Sequence, residues 1–163
     1  MTEAVEIYLG LGSNMGNRQE NLGRALALLS QRLRVGKVSS IYDTDPIGND
    51  NLPRFLNMVC QASTRLVPEG LLALVKGIES KLGRMGISNA SRPIDIDILL
   101  YGGRVMETPA LVIPHPRMAK RAFVLVPMME IAPDTIHPTS GKTIKELQQG
   151  IKKKQGVFRW ENA

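Results

Sequence analysis

Hydrophobic alternation and helical periodicity divide the chain into an ordered series of strands and helices. Val5, Ile7, Leu9 and Leu11 alternate as a first strand, ended by Gly12, Ser13, Asn14 and the polar residues up to Arg18, a turn with several helix-capping candidates. A helix is expected to start near Asn17. Leu22, Ala25, Leu26, Leu29 and Leu33 recur at helical spacing, Arg18, Glu20, Arg24 and Arg32 take the wet side, and Gly36 closes the helix. Residues 37–44 read as a second strand and residues 55–66 as a third, separated by a long polar loop with two prolines. Pro68 suits the first turn of a second helix, whose apolar face is Leu71, Leu72, Leu74, Val75, Ile78 and Leu82, running to Gly83. Residues 91–101 supply a fourth strand.

The resulting order, βαββαβ, predicts a ferredoxin-like α+β sandwich: an antiparallel sheet with helices on one face, the other left for a site. Gly102-Gly103 then turns the chain, residues 105–113 return as a C-terminal hairpin, and short helices follow. Residues 122–132 are expected to be helical in part, with Pro127 limiting the start. One domain spanning residues 1–163 is expected, because no shift in composition marks a linker.

The fourth strand carries a conflict. Asp95 and Asp97 fall on one face, with Ile94, Ile96 and Ile98 on the other. Two carboxylates at i and i+2 lie roughly 6.5–7 Å apart at the backbone and repel unless cations sit beside them. Magnesium suits such a pair, since it takes one or two carboxylates together with phosphate oxygens and water. The plainer explanation is an edge strand with a solvated face, but Asp is depleted in strands.

Composition narrows the classes. With 43% hydrophobic and 22% charged residues the chain is ordinary globular protein, and its net charge of +6 implies anionic partners without choosing among nucleotides, nucleic acid and membrane surfaces. Cys60 is the only cysteine and lies in an apolar stretch, which removes disulfide frames and cysteine metal sites. The first residues lack a basic region followed by an apolar run, and no stretch reaches membrane-spanning length, so a cytoplasmic protein is expected.

Other candidates surround the aspartates in sequence. Phe55 and Asn57 share a strand face, where an aromatic beside a carboxamide can stack on a flat heterocycle and read its edge; a satisfied edge-strand Asn is the plainer alternative. Arg84 and Arg92 bracket a small, polar loop feeding into the Asp pair, within reach of a polyphosphate. His115 sits between Pro114 and Pro116, with Arg117, Lys120 and Arg121 close behind. Lys152, Lys153 and Lys154 read as a solvated tail.

These pieces together resemble the 6-hydroxymethyl-7,8-dihydropterin pyrophosphokinases of folate synthesis. The resemblance rests on Tyr8-Leu9-Gly10-Leu11-Gly12-Ser13-Asn14, on residues 40–46, on Phe55-Leu56-Asn57, on Arg92-Pro93-Ile94-Asp95-Ile96-Asp97, and on residues 113–118 continuing to Arg121 and Phe123; beyond about Pro138 little of it remains. It implies transfer of the terminal diphosphate of ATP to the hydroxymethyl group of a reduced pterin, with release of AMP. Asp95 and Asp97 match ligands of two Mg2+ ions. Arg84, Arg92, His115 and Arg121 match catalytic positions that contact phosphate, with Ile98 and Arg117 as further ATP contacts. Phe55 and Phe123 match the pair that sandwiches the pterin ring, Asn57 the side chain that reads its edge, and Thr44 and Pro46 the pocket lining. The loops at residues 43–54 and 84–92 look like covers that exclude water.

The second of those loops departs from the family's usual pattern. It is shorter, lacks one basic and one aromatic contact, and is expected to close less firmly over ATP, raising its Michaelis constant. Ala119 stands where relatives often carry His.

Two rival readings come from other classes. A nucleic-acid-binding module shares the βαββαβ order and the positive charge, but its strands carry stacking aromatics where this chain carries an Asp pair. A metal-dependent phosphohydrolase would use Asp95 and Asp97 with water, leaving Phe55, Asn57 and Phe123 without a purpose. A stand-alone monomer without nucleic-acid or membrane partners is expected.

Overall fold

A computed structural model describes residues 3–45, 53–83, 93–151 and 156–160. Pro46, Arg84, Arg92 and the lysines at 152–154 lie outside the described residues, as do most of the two expected loop covers.

Six strands form the main sheet: β1 (Val5–Ser13), β2 (Arg34–Val38), β3 (Tyr42–Thr44), β4 (Phe55–Thr64), β5 (Asp95–Tyr101) and, at its far edge, β8 (Val157–Arg159). The order is β5-β1-β4-β3-β8, with β2 also paired to β4, and every pairing is antiparallel. This is the ferredoxin-like order, with β2 and β3 sharing the place of one strand. Helices α1 (Arg18–Ser30) and α2 (Pro68–Lys81) complete the βαββαβ unit. Strands β6 (Met106–Glu107) and β7 (Val112–Ile113) form a separate hairpin, and α3 (Ala122–Ile131) and α4 (Ile144–Gln149) follow.

Apolar residues separate to the two faces of the sheet. On one face Ile7, Leu9, Leu11, Leu56, Met58, Ile96 and Ile98 pack with Leu22, Ala25 and Leu29 of α1 and Leu71, Val75 and Ile78 of α2. On the other, Tyr8, Val59, Leu99 and Leu100 pack under Val124, Leu125 and Met128 of α3 and Ile144 of α4. A register shift between Tyr8 and Leu9 lets consecutive Leu99 and Leu100 join this second cluster. The second face is therefore half covered, at the end near Tyr8, rather than left wholly open.

Several boundaries differ from the expected ones. Asn17 does cap α1, its Oδ1 accepting from the Glu20 N–H at 3.0 Å. The helix, however, stops at Ser30, and the apolar spacing outlasts it because the Leu33 N–H still donates to Leu29 O at 2.8 Å and Leu33 stays buried. Gly36 does not close the helix; it lies within β2. The second strand is broken at residues 39–41, where the Ser39 hydroxyl accepts from the Val59 N–H at 2.9 Å and takes over a rung of the ladder. Gly83 does follow α2 in the left-handed region, at φ 102°. Pro127 sits inside α3, which already begins at Ala122.

Strand β5 is an edge, and α2 satisfies it. Glu79, 5% exposed, accepts from the backbone N–H of Ile96 through Oε2 at 2.8 Å. Ile96 stands between the two aspartates, so this bond fixes the strand that carries them and guards its edge. Glu79→Ala would leave that donor buried and unpaired; urea unfolding is expected to show a loss of about 1–3 kcal/mol.

Candidate active site

The sheet register builds the site. Gly12 of β1 stands opposite Asp95 on one side and Asn57 on the other, and Asn57 stands opposite Tyr42. One row therefore reads Asp95, Gly12, Asn57, Tyr42 across four strands. The next row reads Asp97, Gly10, Val59. Residues directly opposite share a face, so Gly12 separates Asp95 from Asn57 and Gly10 separates Asp97 from Val59. They form the floor of a trough roughly 10 Å wide, two inter-strand spacings.

Glycine is required at position 12. A Cβ on Gly12 would stand 2.5 Å from Asn57 Oδ1 and 3.5 Å from Phe55 Cδ1. The sequence pattern marks Gly12 as the start of a turn, whereas in the structure it belongs to β1. The signal available in sequence was the i, i+2 glycine pair itself, since Gly in a strand interior marks close approach of another group.

On the β4 side the side chains are tightly set. Asn57 donates through Nδ2 to the Thr44 hydroxyl at 2.6 Å, both residues being buried. That bond leaves Asn57 Oδ1 over the glycine floor, where it can accept from a ligand. Phe55 is half-buried two residues earlier, on the same face. From above, α3 packs against β4 and carries Phe123 one position after Ala122, with the Arg121 guanidinium 5.3 Å from the Phe123 ring centroid.

On the β5 side the acids meet bases. His115 Nε2 lies 4.0 Å from Asp97 Oδ2, with about a third of the Asp97 side chain exposed. The His115 backbone N–H donates to Leu99 O at 3.0 Å, and its Nδ1 accepts from the Arg117 N–H at 3.2 Å. Burial, and then Arg121 and Arg117, push the pKa of His115 below its ordinary value, outweighing Asp95. These effects favour the neutral ring, and because Nδ1 accepts from Arg117, the neutral form carries its proton on Nε2, on the side of Asp97. Burial and Arg117 also act on Arg121, against the pull of Asp97 and Asp95. Asp95, Asp97, His115, Arg117 and Arg121 thus form one electrostatic group.

Outside β5 lies a cleft of about 620 Å³ between α2 and the β6–β7 hairpin. Leu72 and Val75 of α2, Ile98 of β5, Leu111, Val112 and His115 line it together with Asp95 and Asp97. A cleft of this size, lined by apolar side chains together with Lys76, Glu79 and Ser80 and bordered by the aspartates, suits a nucleoside and its phosphates. The hairpin residues and the α2 face went unrecognised in the sequence, where their apolar pattern serves the core equally well.

The acid pair matches a hard cation in its chemistry. Among the described residues no group of three or more His, Cys, Asp and Glu forms an all-protein metal cage. Two neighbouring carboxylates lining an open cleft are instead the donor set that magnesium takes, with substrate oxygens and water completing its shell.

Known proteins match over most of the chain. Residues 8–133 match the family model for 7,8-dihydro-6-hydroxymethylpterin-pyrophosphokinase. The 2-amino-4-hydroxy-6-hydroxymethyldihydropteridine pyrophosphokinase of Bacillus subtilis (strain 168) is 44% identical over 154 residues, covering 92% of this chain and 92% of that one. Its counterpart in Aquifex aeolicus (strain VF5) is 41% identical over 143 residues, 87% of this chain and 89% of that one. A solved Plasmodium falciparum HPPK-DHPS chain superposes with a TM-score of 0.77 at 18% identity, a likeness of fold. That match covers 91% of this chain and 46% of the longer one. By the family match and by its identity to both bacterial enzymes, the chain belongs to the 7,8-dihydro-6-hydroxymethylpterin-pyrophosphokinase family.

Proposed function

We propose that this chain transfers diphosphate from ATP to the hydroxymethyl group of 6-hydroxymethyl-7,8-dihydropterin, giving AMP and the pterin diphosphate. The observation that carries the reading is the row Asp95, Gly12, Asn57, which aligns an acid pair with a ring-reading carboxamide beside a nucleotide-sized cleft. Printed names of the bacterial relatives support the same activity.

The steps follow from the chain's own groups. The cleft between α2 and the hairpin binds the nucleoside, directing the phosphates toward β5. Asn57, fixed by Thr44, reads the pterin edge while Phe55 and Phe123 stack on its faces. Gly12 keeps the floor clear between Asp95 and Asn57, so the hydroxymethyl oxygen approaches the β-phosphorus across the trough. The new oxygen to β-phosphorus bond forms as the bond to the AMP oxygen breaks. Arg121 and the Nε2–H of His115 stabilise the charge that develops on the phosphate oxygens. Arg117 is an additional phosphate contact, and Arg84 and Arg92 are assigned the same task by their positions in the sequence.

Asp95 and Asp97 would hold two magnesium ions, which when bound neutralise phosphate charge and orient the polyphosphate. The proposal includes a single catalytic domain over residues 1–163, acting as a cytoplasmic monomer without nucleic-acid or membrane partners. In support, no described helix is long and apolar enough to cross a membrane.

The test is steady-state AMP formation from ATP and magnesium, with and without the pterin. AMP appearing only when the pterin is present supports transfer. AMP or ADP appearing at the same rate without it would favour hydrolysis and overturn the reading.

A further inference from the structure

The C-terminal strand lies beyond the residues the family model matches, and the sequence pattern assigned it nothing. It nevertheless forms the outer edge of the sheet beside the ring pocket. Strand β3, only three residues long, pairs with β4 on one side and β8 on the other. The β8 register sets Tyr42 opposite Arg159, Asp43 opposite Phe158 and Thr44 opposite Val157. Backbone bonds extend the ladder at both ends: Asp45 N–H to Gly156 O at 3.0 Å, and Trp160 N–H to Ile41 O at 2.8 Å. At Gly156 a side chain would collide with the Asp45 carboxylate.

Side chains tie the same strand to the other half of the pocket. Arg54 donates through Nε to Asp43 Oδ1 at 2.7 Å and through Nη1 to Asp45, with its guanidinium 5.9 Å from the Phe158 ring centroid. Trp160 lies under Arg18 at 5.4 Å, and Arg18 Nη1 donates to Arg54 O at 2.9 Å. Arg54 immediately precedes Phe55. Contacts of β8 therefore converge on Thr44, which holds Asn57, and on the residue that introduces Phe55. Arg159 also faces Tyr42, whose hydroxyl donates at 2.8 Å to Glu130 of α3, the helix bearing Phe123.

We propose that residues 156–160 are positioning residues for the pterin pocket: they hold Thr44, Asn57 and Phe55 in the geometry that reads the ring. The inference rests on the reading of that pocket given above. A three-residue strand deprived of one partner is marginal, so Thr44 would lose its fixed place. The nucleotide cleft sits on β5, at the opposite edge of the sheet, and should not feel the change.

That asymmetry provides the test. The full chain is compared with a deletion of residues 156–163, with Trp160→Ala, and with Trp160→Phe, which keeps a ring beneath Arg18. The deletion is expected to raise the KM for the pterin about tenfold, the equivalent of one or two well-placed hydrogen bonds, while the KM for ATP changes less than about twofold. Trp160→Ala should show part of the effect, and Trp160→Phe should restore most of it. A pterin KM unchanged in the deletion would overturn the inference, as would KM values for both substrates rising together. If the deletion fails to fold, the Trp160 pair decides by the same criterion. A full chain that makes no AMP with the pterin present would overturn the proposed function, an outcome distinct from failure of the inference alone.

Discussion

Asp97→Ala is expected to lower kcat for AMP formation by about a thousandfold or more, the scale of losing a charge-stabilising group at a phosphoryl-transfer centre. Its side chain is about a third exposed, in the lining of the cleft, so its removal need not disturb the core. The thermal midpoint should therefore stay within a few degrees of wild type. Asp97→Asn keeps the shape and removes the charge; it should be nearly as defective as Asp97→Ala. Near-wild-type turnover in Asp97→Asn would show that the carboxylate is not needed as an anion. Raising the magnesium concentration should recover part of the activity of either variant if the lost group holds the ion.

Gly12→Ala is the second large effect, and it should act on the other substrate. A methyl group at this position would lie 2.5 Å from Asn57 Oδ1, and Asn57 has little room to retreat because Nδ2 is bound to buried Thr44. Either the carboxamide turns and breaks its bond to Thr44, or it stays and the floor is filled. Both outcomes spoil the edge that reads the ring. The KM for the pterin is expected to rise about 30- to 100-fold, the loss associated with two or so hydrogen bonds made to a substrate edge. Binding of an ATP analogue, measured by calorimetry, should change little. A variant with an unchanged pterin KM would show that Asn57 does not read the ring.

These two predictions come from different levels of legibility. The Asp pair could be read directly, because period-two spacing on a strand states which residues share a face and charge in a strand is conspicuous. The βαββαβ order was legible for the same reason, and the structure has the antiparallel ferredoxin-like sheet. What spacing could not give was registry between strands. That Gly12 would lie between Asp95 and Asn57 depends on how β1, β4 and β5 slide against one another, a tertiary property. The local pattern alone therefore marks the glycine as a turn residue.

Other misses have similar causes. Leu33 keeps helical spacing after α1 has ended, since a turn can bury a residue as well as a helix can. Pro127 was expected to limit the start of a helix, whereas apolar packing of Val124, Leu125 and Met128 carries α3 through it. The sequence pattern does not single out Glu79. Its burial follows from an unpaired N–H on the neighbouring edge strand, which no local pattern reveals. Strand β8 is too short and too polar to stand out, and its role depends wholly on β3 being beside it.

The most direct measurement follows the phosphates themselves. ATP labelled at the α-phosphorus, and separately at the γ-phosphorus, is incubated with magnesium, the pterin and the full chain, and the products are separated. The account predicts α-label in AMP, γ-label in the pterin product, and the two formed in equal amounts without ADP. γ-Label collecting in inorganic phosphate or pyrophosphate, or α-label in ADP, would contradict diphosphate transfer across the glycine trough.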